Sequence, residues 1–306
     1  MGSSLVSVLM LTYNHEKYVG KAIESILIQN TDFLFELIIG EDFSTDSTRE
    51  ICLKFARNNP DKIKLLSSEQ NLGMLPNFIR TLTACDGEYI AFCEGDDYWT
   101  DPLKLQKQVD FLKDKSDCAI VHTKKKVLVG ETLYDDAPEN MNYSNIAESL
   151  FLSNKISFLT LLARAEILKK CVKTVLIHAK ERNWRMLDYP LGIFIGINYN
   201  IGFLNEVTVV YRLLPESASH SSDKRKAYLF DKYGLDVKEY YFKIYQKQNQ
   251  QIAKIFRYRF KENIFHSRKR MILDYGFIAK SELVPLLATN PLLYIYIISK
   301  KLKSLF

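Results

Sequence analysis

The amino-acid sequence predicts an α/β fold, in which a mostly parallel sheet is covered by helices on both of its faces. Short apolar runs alternate, as far as about residue 115, with longer segments whose apolar residues recur at helical spacing. Such an alternation of strand and helix is typical of a parallel sheet with crossover helices. The chain has 306 residues, of which 47% are hydrophobic and 25% are charged, so it is long and apolar enough to bury a sizeable hydrophobic core.

The elements of the sheet can be assigned in order from the apolar runs. Residues 5–12 are rich in valine and leucine, as expected for a strand that is buried on both faces. A fourth helix is expected from Asp101 and Pro102 to about residue 115, because proline after an aspartate often starts a helix. The other strands are predicted over residues 35–40, 63–66 and 89–93, and the other helices over residues 16–29, 45–59 and 76–85.

Polar residues follow each predicted strand, at the edge of the sheet where α/β proteins bind their ligands. The segments 12–15, 41–46, 71–73 and 94–97 hold six carboxylates and no lysine or arginine. A nucleotide diphosphate would be repelled there unless a divalent cation, Mn²⁺ or Mg²⁺, bridged its phosphates and the carboxylates. The alternative is that the acidic clusters are solvated turns that cap the next helices. The carboxylates are those of Glu41, Asp42, Asp46, Glu94, Asp96 and Asp97.

Four motifs occur in these segments in a fixed order. They are V-S-V-L-M-L-T-Y-N-H-E-K-Y-V from residue 6, I-I-G-E-D-F-S-T-D-S-T from residue 38, N-L-G-M-L-P-N from residue 71 and E-G-D-D-Y-W-T-D-P-L-K-L from residue 94. With these motifs the sequence resembles the family 2 glycosyltransferases over residues 6–115, more weakly to residue 223, and not beyond it. The resemblance implies a GT-A fold and a nucleotide-sugar donor.

The resemblance also implies roles for individual residues. Residues 94–97 stand where the family has its D-x-D element, so Asp96 is the expected ligand of Mn²⁺ or Mg²⁺, with Asp97 second. Glu94 replaces the first aspartate of that element and Glu41 replaces the aspartate before Asp42, and each exchange lengthens the side chain by one methylene group. The implied donor-binding residues are Thr12, Tyr13 and Asn14 beside the base, Asp42 at the base or ribose, Asn71 and Gly73 beside the nucleotide, Glu94 near the ribose and Arg212 at the departing diphosphate, with His220 as a weaker candidate there.

The reaction also requires a base, because the acceptor hydroxyl loses its proton as the new bond forms. The family places a carboxylate at the start of a helix in the second half of the domain, and by resemblance Asp188 is the expected catalytic residue. Leu187 stands where the family has a preceding acid. The alternative role for Asp188 is that of a helix N-cap. Trp184, nearby, either stacks on an acceptor sugar or packs in the core.

The net charge of +6 conceals an uneven distribution along the chain. Residues 1–223 carry 24 basic and 30 acidic side chains, whereas residues 224–306 carry 18 basic and 6 acidic ones. We therefore predict a catalytic domain over residues 1–223, with a donor half to about residue 115 and an acceptor half over 116–223. A basic, aromatic-rich helical segment is predicted over residues 224–306.

Several partners are compatible with the basic segment. It either contacts the anionic inner face of a membrane, with residues 291–306 as an interfacial helix, or packs on the catalytic domain or on a second copy of the chain. Nucleic acid is not an expected partner, because no recognised motif accompanies the charge. The lysines at residues 124–126 are interpreted as an exposed strand end or as counterions for an acidic acceptor.

Cysteine usage and hydropathy bear on location. The five cysteines are dispersed and form no C-x-x-C pair, which is typical of buried thiols in a reducing compartment. No apolar run is long enough to span a bilayer, and the first residues lack the pattern of a signal peptide. The expectation is a cytoplasmic protein, with peripheral attachment to the inner face of the plasma membrane as a further option.

Together with the resemblance, these observations predict a non-processive, inverting glycosyltransferase that depends on a divalent cation. It would move one sugar from a nucleotide-diphosphate sugar, most simply a UDP-sugar, to a hydroxyl of a glycan or lipid-linked glycan. No Q-x-x-R-W motif of processive synthases occurs. One alternative is a nucleotidyltransferase, although the first strand leads to T-Y-N instead of a glycine-rich, lysine-containing phosphate loop. The other is an inactive glycan-binding scaffold, which would predict loss of Asp96 and Asp97.

Overall fold

The computed structural model describes residues 4–136, 145–154, 156–214, 223–249 and 254–275. The chain divides into two compact units, Met1–Leu214 and Pro215–Phe306. The first unit contains the four motifs, and the second contains two described helices. Two predicted features, His220 and the interfacial helix at 291–306, lie outside the described residues.

The first unit is built on a sheet that has nine strands within the described residues. The strands are β1 (Val6–Thr12), β2 (Phe35–Glu41), β3 (Ile63–Leu66), β4 (Tyr89–Phe92), β5 (Tyr98–Trp99), β6 (Cys118–Val129), β7 (Thr132–Asp136), β8 (Leu161–Arg164) and β9 (Asn200–Arg212). The helices of this unit are α1 (Val19–Leu27), α2 (Thr48–Asn58), α3 (Met74–Thr83), α4 (Lys104–Asp114), α5 (Ile146–Leu152), α6 (Ala165–Arg182) and α7 (Asp188–Asn198).

The order of the strands separates a parallel half from a mixed half. Neighbouring strands follow the order β3-β2-β1-β4-β8-β6-β9-β5, and β7 pairs with β6 outside this path. Strands β3, β2, β1 and β4 are parallel, whereas β8 joins β4 and β6 in antiparallel fashion and β9 runs parallel to β6. The α/β prediction is confirmed, and the parallel arrangement holds in the half that carries the motifs.

Helices cover both faces of the parallel half. Alternate side chains of a strand point to opposite sides of the sheet, and here the side chains on both sides are buried. Val6, Val8 and Met10 of β1 are fully buried in one cluster with apolar residues of α1 and α4. On the other face, Phe78 of α3 stacks on Phe92 of β4, with ring centroids 6.5 Å apart. The sheet is thus buried on both sides, and its strand ends form a rigid frame for polar side chains.

Three predicted helix starts lie three residues too early. The α1 helix begins at Val19 instead of residue 16, α2 begins at Thr48 instead of residue 45, and α4 begins at Lys104 instead of Asp101. Before α2 and before α4, an aspartate accepts a hydrogen bond from the backbone N–H of the residue two positions later. Asp46 Oδ1 accepts from the N–H of Thr48 at 3.0 Å, and Asp101 Oδ1 accepts from that of Leu103 at 2.9 Å. The polar residues therefore shape the turn that enters the helix and do not belong to its first turn.

The second unit contains α8 (Lys224–Gln248) and α9 (Lys254–Tyr275). Asp223 caps α8, since its carboxylate accepts hydrogen bonds from the N–H groups of Arg225 and Lys226. Phe242 of α8 stacks on Phe260 of α9, with ring centroids 3.7 Å apart. Among the described residues, no helix is both long and apolar enough to cross a membrane.

Candidate active site

The candidate site lies at the carboxyl ends of β1, β2 and β4, where backbone hydrogen bonds join three of the motif segments. The N–H of Asp42 donates to the carbonyl of Thr12 at 3.1 Å. The N–H of Gly95 donates to the carbonyl of Leu11 at 2.9 Å. The segments after β2 and β4 are therefore both tied to the end of β1, which lies between these two strands in the sheet.

Asp42 is buried, and its carboxylate holds the loop that follows β3. Its Oδ1 accepts from the N–H of Leu72 at 2.8 Å, and its Oδ2 accepts from the N–H of Gly73 at 2.9 Å. The Asn71 amide donates to the carbonyl of Asp42 at 3.0 Å. Gly73 has a φ of +84°, a conformation that favours glycine, and α3 begins directly after it. The structure thus brings Asp42, Asn71 and Gly73 together as one hydrogen-bonded unit.

Glu41 is fully buried beside Asp42 and is neutralised by Arg49 of α2. The Nε of Arg49 lies 2.6 Å from Glu41 Oε2, and the N–H of Ser44 donates to Oε1 at 2.7 Å. Arg80 of α3 donates to the carbonyl of Glu41 at 2.7 Å. The expectation of an edge without basic side chains is therefore wrong at the end of β2. Arg49 and Arg80 belong to helices, and the packing of these helices on the sheet brings both side chains to this edge.

Side-chain hydrogen bonds fix the loop after β1 to the loop after β2. Asn14 has a φ of +56°, its N–H donates to Ser44 Oγ at 3.0 Å, and its Oδ1 accepts from the N–H of Thr45 at 2.9 Å. Each loop also carries a partly exposed aromatic ring, Tyr13 at 42% exposure and Phe43 at 41%. Asn14 thus has a structural role in these loops, and Tyr13 presents a ring that a planar base could contact.

The turn after β4 packs closely on the end of β1, and buried polar atoms that lack partners occur on both sides of this contact. A Cβ atom at Gly95 would lie 2.5 Å from Thr12 Oγ1 and 2.9 Å from His15 Nδ1, so the turn requires glycine. Within the described residues, Thr12 Oγ1, His15 Nδ1 and Glu94 Oε2 are buried and make no hydrogen bond. Each such atom costs about 1–3 kcal/mol. Unpaired atoms at one turn indicate a place where a ligand or ordered water completes the hydrogen bonds.

The carboxylates of this turn also repel one another. Burial raises the pKa of Glu94 to about 7, and the charge of Asp96 is the second cause. Burial raises the pKa of Asp97 well above its usual range, again with Asp96 as the second cause. Asp96 itself is half-buried, and its carboxylate makes no hydrogen bond or ion pair within the described part of the chain. The turn therefore holds excess negative charge that a cation would offset.

Arg212 reaches this turn from the end of β9, far away in the sequence. Its N–H donates to Asp97 Oδ1 at 2.7 Å, and its guanidinium donates to the carbonyl of Asp96. The guanidinium carbon lies 4.6 Å from the ring centroid of Tyr98 and 5.1 Å from that of Tyr18. Arg212 is buried between these rings, so it positions the backbone of the turn as well as supplying positive charge.

Asp188 is the first residue of α7 and is half-buried. The N-cap of α7 is Leu187, so the alternative role of Asp188 as an N-cap is wrong. The Asn154 amide donates to Asp188 Oδ2 at 3.3 Å. Burial raises the pKa of Asp188, while this hydrogen bond and the charge of Lys125 oppose the rise. The charge of Asp188 in turn contributes to the raised pKa of Glu94, so Asp188 lies within electrostatic range of the turn after β4.

Buried aromatic side chains anchor the start of α7. The hydroxyl of Tyr189 donates to the carbonyl of Leu150 in α5 at 2.9 Å. Trp184 is only 4% exposed, so it packs in the core, and its interpretation as a sugar-stacking residue is wrong. The position of Asp188 is therefore held from inside the unit.

Lys125 is a charged residue whose effect on the carboxylates of the site the sequence did not predict. It lies on β6, is half-buried, and its Nζ is 3.1 Å from Asp136 on β7. Its charge lowers the pKa of both Glu94 and Asp188. The interpretation of residues 124–126 as an exposed strand end is wrong, because β6 continues to Val129 between β9 and β7. No local pattern distinguishes Lys125 from the lysines on either side of it.

The arrangement fits a divalent cation that is shared with a phosphate-bearing ligand. Among the described residues, no group of three His, Cys, Asp or Glu side chains could hold a metal ion. Asp96 offers both of its carboxylate oxygens, whereas Asp97 has Oδ1 engaged by Arg212. Mg²⁺ is often bound by one or two carboxylates together with substrate phosphates, and Asp96 and Asp97 match that requirement.

Comparison with known proteins identifies relatives of the chain. The sequence model described as "Glycosyl transferase family 2" matches residues 7–176. The uncharacterized protein Rv1520 of Mycobacterium tuberculosis is 31% identical over 72% of this chain, and the match spans 63% of the relative's own length. The UDP-Glc:alpha-D-GlcNAc-diphosphoundecaprenol beta-1,3-glucosyltransferase WfgD of Escherichia coli is 27% identical over 85% of this chain and 97% of its own length.

Solved structures share the fold at lower sequence identity. TarS 1-349 of S. aureus in complex with UDP-GlcNAc superposes with a TM-score of 0.55 at 18% identity, covering 89% of this chain and 81% of that chain. The mannosyltransferase PcManGT of Pyrobaculum calidifontis, in complex with GDP-Man and Mn²⁺, gives a TM-score of 0.54 at 14% identity and covers 100% of this chain and 82% of that one. Both are similar to this chain in the arrangement of the sheet and its helices.

Proposed function

The chain belongs to glycosyl transferase family 2, and from this premise we propose that it transfers one sugar from a nucleotide-diphosphate sugar to a hydroxyl of a glycan or lipid-linked glycan. The observation that carries the proposal is the presence of two chemically different carboxylates in the neighbourhood of the turn after β4. The carboxylate of Asp96 makes no hydrogen bond or ion pair within the described residues, and Asp188, on α7, is near enough for its charge to raise the pKa of Glu94. With two such carboxylates, one can take part in binding the donor while the other activates the acceptor.

Asp188 would act as the general base. A carboxylate with a raised pKa is a stronger base than an ordinary aspartate. It would accept the proton of the acceptor hydroxyl as the oxygen attacks the anomeric carbon, on the side opposite the leaving diphosphate. Transfer would then proceed with inversion. Lys125 and the Asn154 amide both favour the charged form of Asp188 and so oppose the rise of its pKa.

Donor binding would use the hydrogen-bonded unit of Asp42, Asn71 and Gly73 together with the exposed ring of Tyr13. Asp96 and Asp97 would hold Mn²⁺ or Mg²⁺, which when bound neutralises the charge that develops on the leaving diphosphate. The unpaired atoms of Thr12, His15 and Glu94 would be satisfied by donor groups or by ordered water. Arg212 would add positive charge and keep the turn in place.

The names of relatives support the proposed substrates. WfgD is named for a UDP-Glc donor and a diphosphoundecaprenol-linked acceptor, and it aligns with this chain over nearly its whole length. TarS was solved with UDP-GlcNAc, and PcManGT with GDP-Man and Mn²⁺. A UDP-sugar donor and a lipid-linked glycan acceptor are therefore our first choices for this chain.

The direct test is a screen of UDP- and GDP-sugars for donor hydrolysis and transfer in the presence of Mn²⁺. We expect turnover with at least one donor, and the Asp188→Asn variant should lose transfer while it retains nucleotide affinity. Glu166→Gln is the matched control, because Glu166 is an exposed carboxylate in the first turn of α6. A fully active Asp188→Asn variant would refute the base assignment. If no donor gave either turnover or nucleotide binding, the proposed function would be refuted.

A further inference from the structure

Arg212 lies beside Asp96 without pairing with its carboxylate. The guanidinium donates to the backbone carbonyl of Asp96, and only a few bonds separate that carbonyl from the carboxylate of the same residue. Nevertheless, the carboxylate of Asp96 makes no ion pair within the described residues. An arginine this close to a carboxylate ordinarily forms a strong charge-assisted hydrogen bond, because the planar guanidinium matches the carboxylate oxygens. Other contacts must therefore restrain the guanidinium of Arg212.

Two tyrosine rings provide this restraint. The central carbon of the guanidinium lies 4.6 Å from the ring centroid of Tyr98 and 5.1 Å from that of Tyr18. No ring-to-ring contact joins Tyr18 and Tyr98 in the described part of the chain, as expected for rings on opposite sides of a planar group. The face of an aromatic ring attracts a guanidinium, and this attraction is stronger away from water. Arg212 is only 8% exposed, so its contacts with the two rings are of this stronger kind.

Each ring is held in place by its own part of the fold. Tyr18 directly precedes α1, and its N–H donates to the carbonyl of His15 at 2.9 Å. Tyr98 lies in β5, where it pairs with Val210 of β9. The Nζ of Lys21, in α1, lies 3.7 Å from the ring centroid of Tyr98. The two rings are thus fixed by α1 and by the sheet, and they in turn fix the guanidinium.

The aromatic faces of the two tyrosines, and not their hydroxyl groups, make these contacts. Neither hydroxyl forms a hydrogen bond within the described residues. A phenylalanine ring would therefore hold the guanidinium as a tyrosine ring does. An aliphatic side chain could fill the space but would lack the attraction of a ring for a cation. This difference separates the positioning of Arg212 from simple packing.

We propose that Tyr18 and Tyr98 are positioning residues that keep the guanidinium of Arg212 away from the carboxylate of Asp96. That carboxylate then stays available for Mn²⁺ or Mg²⁺, while the charge of Arg212 still offsets part of the negative charge of the turn. Without the rings, the guanidinium would pair with Asp96, and the cation would have to displace it. The inference rests on the proposed function, since it takes Asp96 as a ligand of the cation.

The test is a titration of the full chain with Mn²⁺ alone, followed by the decrease of the electron paramagnetic resonance signal of free Mn²⁺. Tyr18→Leu should bind Mn²⁺ about tenfold more weakly, the equilibrium factor of one charge-assisted hydrogen bond that must first be broken. Tyr18→Phe should bind Mn²⁺ like the wild type. In Tyr18→Leu, the Mn²⁺ concentration for half-maximal donor turnover should rise by a similar factor, and excess Mn²⁺ should recover the lost turnover.

Removal of the guanidinium distinguishes competition for Asp96 from a general loss of structure. The double variant Tyr18→Leu with Arg212→Gln retains no guanidinium that could pair with Asp96, so it should bind Mn²⁺ more tightly than Tyr18→Leu alone. Tyr199→Leu is the matched control, because Tyr199 is also half-buried and also flanks a helix, at the end of α7. This control should bind Mn²⁺ like the wild type.

Three outcomes would overturn the proposal and leave the proposed function intact. They are unchanged Mn²⁺ affinity in Tyr18→Leu, a loss in Tyr18→Phe equal to that in Tyr18→Leu, and a double variant that binds more weakly than Tyr18→Leu. Failure of the wild type to bind Mn²⁺ would overturn the proposal together with the cation site itself.

Circular dichroism and thermal denaturation establish whether each variant is folded. If Tyr18→Leu or the double variant does not fold, Tyr18→Trp decides, because the face of tryptophan attracts cations more strongly than that of tyrosine. Tyr18→Trp should bind Mn²⁺ at least as tightly as the wild type does. Weaker binding by this folded variant would overturn the proposal.

Discussion

The acidic segments after β2 and β4 are alike in sequence but differ in their electrostatic state. Glu41 is paired with Arg49, and Asp42 accepts two backbone N–H groups, so the segment after β2 is internally satisfied. In the segment after β4, Glu94 has a buried oxygen without a partner, and the carboxylate of Asp96 makes no hydrogen bond or ion pair within the described residues. The first segment therefore serves to build the frame, and the second retains capacity for a ligand.

The extent to which the carboxylate of Asp188 is satisfied by protein partners is intermediate between those of these two segments. It accepts one hydrogen bond, at 3.3 Å from the Asn154 amide, and remains half-buried. A base must be held in place but must also keep a lone pair available for the proton it accepts. The carboxylates thus have progressively fewer protein partners, from the scaffold segment after β2, through the proposed base, to the proposed cation site.

Asp96→Asn is expected to produce the largest effect on activity. Loss of a carboxylate that holds the cation removes several kcal/mol of transition-state stabilisation, so transfer should fall by about 10³-fold. The free energy of unfolding without metal should stay equal or rise, because Asp96 repels Glu94 and Asp97. Initial rates with Mn²⁺ and thermal denaturation with EDTA measure the two quantities. An active but less stable variant would contradict the assignment of Asp96 to the ligand side of the comparison.

Gly95→Ala tests how tightly the turn after β4 is packed on β1. The new Cβ would lie 2.5 Å from Thr12 Oγ1, so the turn must move, and we expect the free energy of unfolding to fall by about 3 kcal/mol. Gly234→Ala in α8 is the matched control, since a Cβ there has nothing within 4 Å. That variant should gain about 1 kcal/mol from helix propensity. Urea denaturation of both variants measures the two changes in the free energy of unfolding. Equal changes would refute the close approach of the turn after β4 to β1.

Glu41→Gln tests the scaffold side of the comparison. The substitution keeps the shape of the side chain but removes the charge that faces Arg49, and we expect a loss of about 2 kcal/mol in the free energy of unfolding. Activity of the folded protein should change little. Glu50→Gln, at an exposed position of the same helix as Arg49, should alter stability by less than about 0.5 kcal/mol. A stable Glu41→Gln variant with lost activity would place Glu41 among the ligand-binding residues instead.

Asn154→Ala should have the smallest effect, a shift in the pH profile of transfer. Transfer falls as pH drops through the pKa of Asp188, because the protonated carboxyl cannot accept a proton, and burial already raises that pKa. Removing the Asn154 hydrogen bond disfavours the charged form further, so the acid limb of the kcat/KM profile should move to higher pH by about half a unit. Asn198→Ala, at the other end of α7, should leave the limb in place. A shift to lower pH would contradict the role of Asn154.

Much of the fold could be predicted from local patterns. The bounds of β3 were predicted to the residue, and those of β1, β2 and β4 within one residue, because buried strands are continuous apolar runs. The starts of α2 and α4 were displaced, because Asp46 and Asp101 hydrogen-bond to the backbone in turns before the helices. The roles of Trp184 and of residues 124–126 depended on burial that the sequence does not express.

The sequence by itself determined which segments lie at the edge of the sheet, because the period of apolar residues sets where each strand ends. It also marked Asp42, Asp96 and Asp97 through their motifs. Only the tertiary structure decided which carboxylates are neutralised. Arg49 satisfies Glu41 from eight residues away, whereas Arg212 reaches Asp97 across 115 residues, and Lys125 on β6 acts on Asp188 at the start of α7. Charge interactions depend on distance through space and on burial, and neither can be read from spacing along the chain.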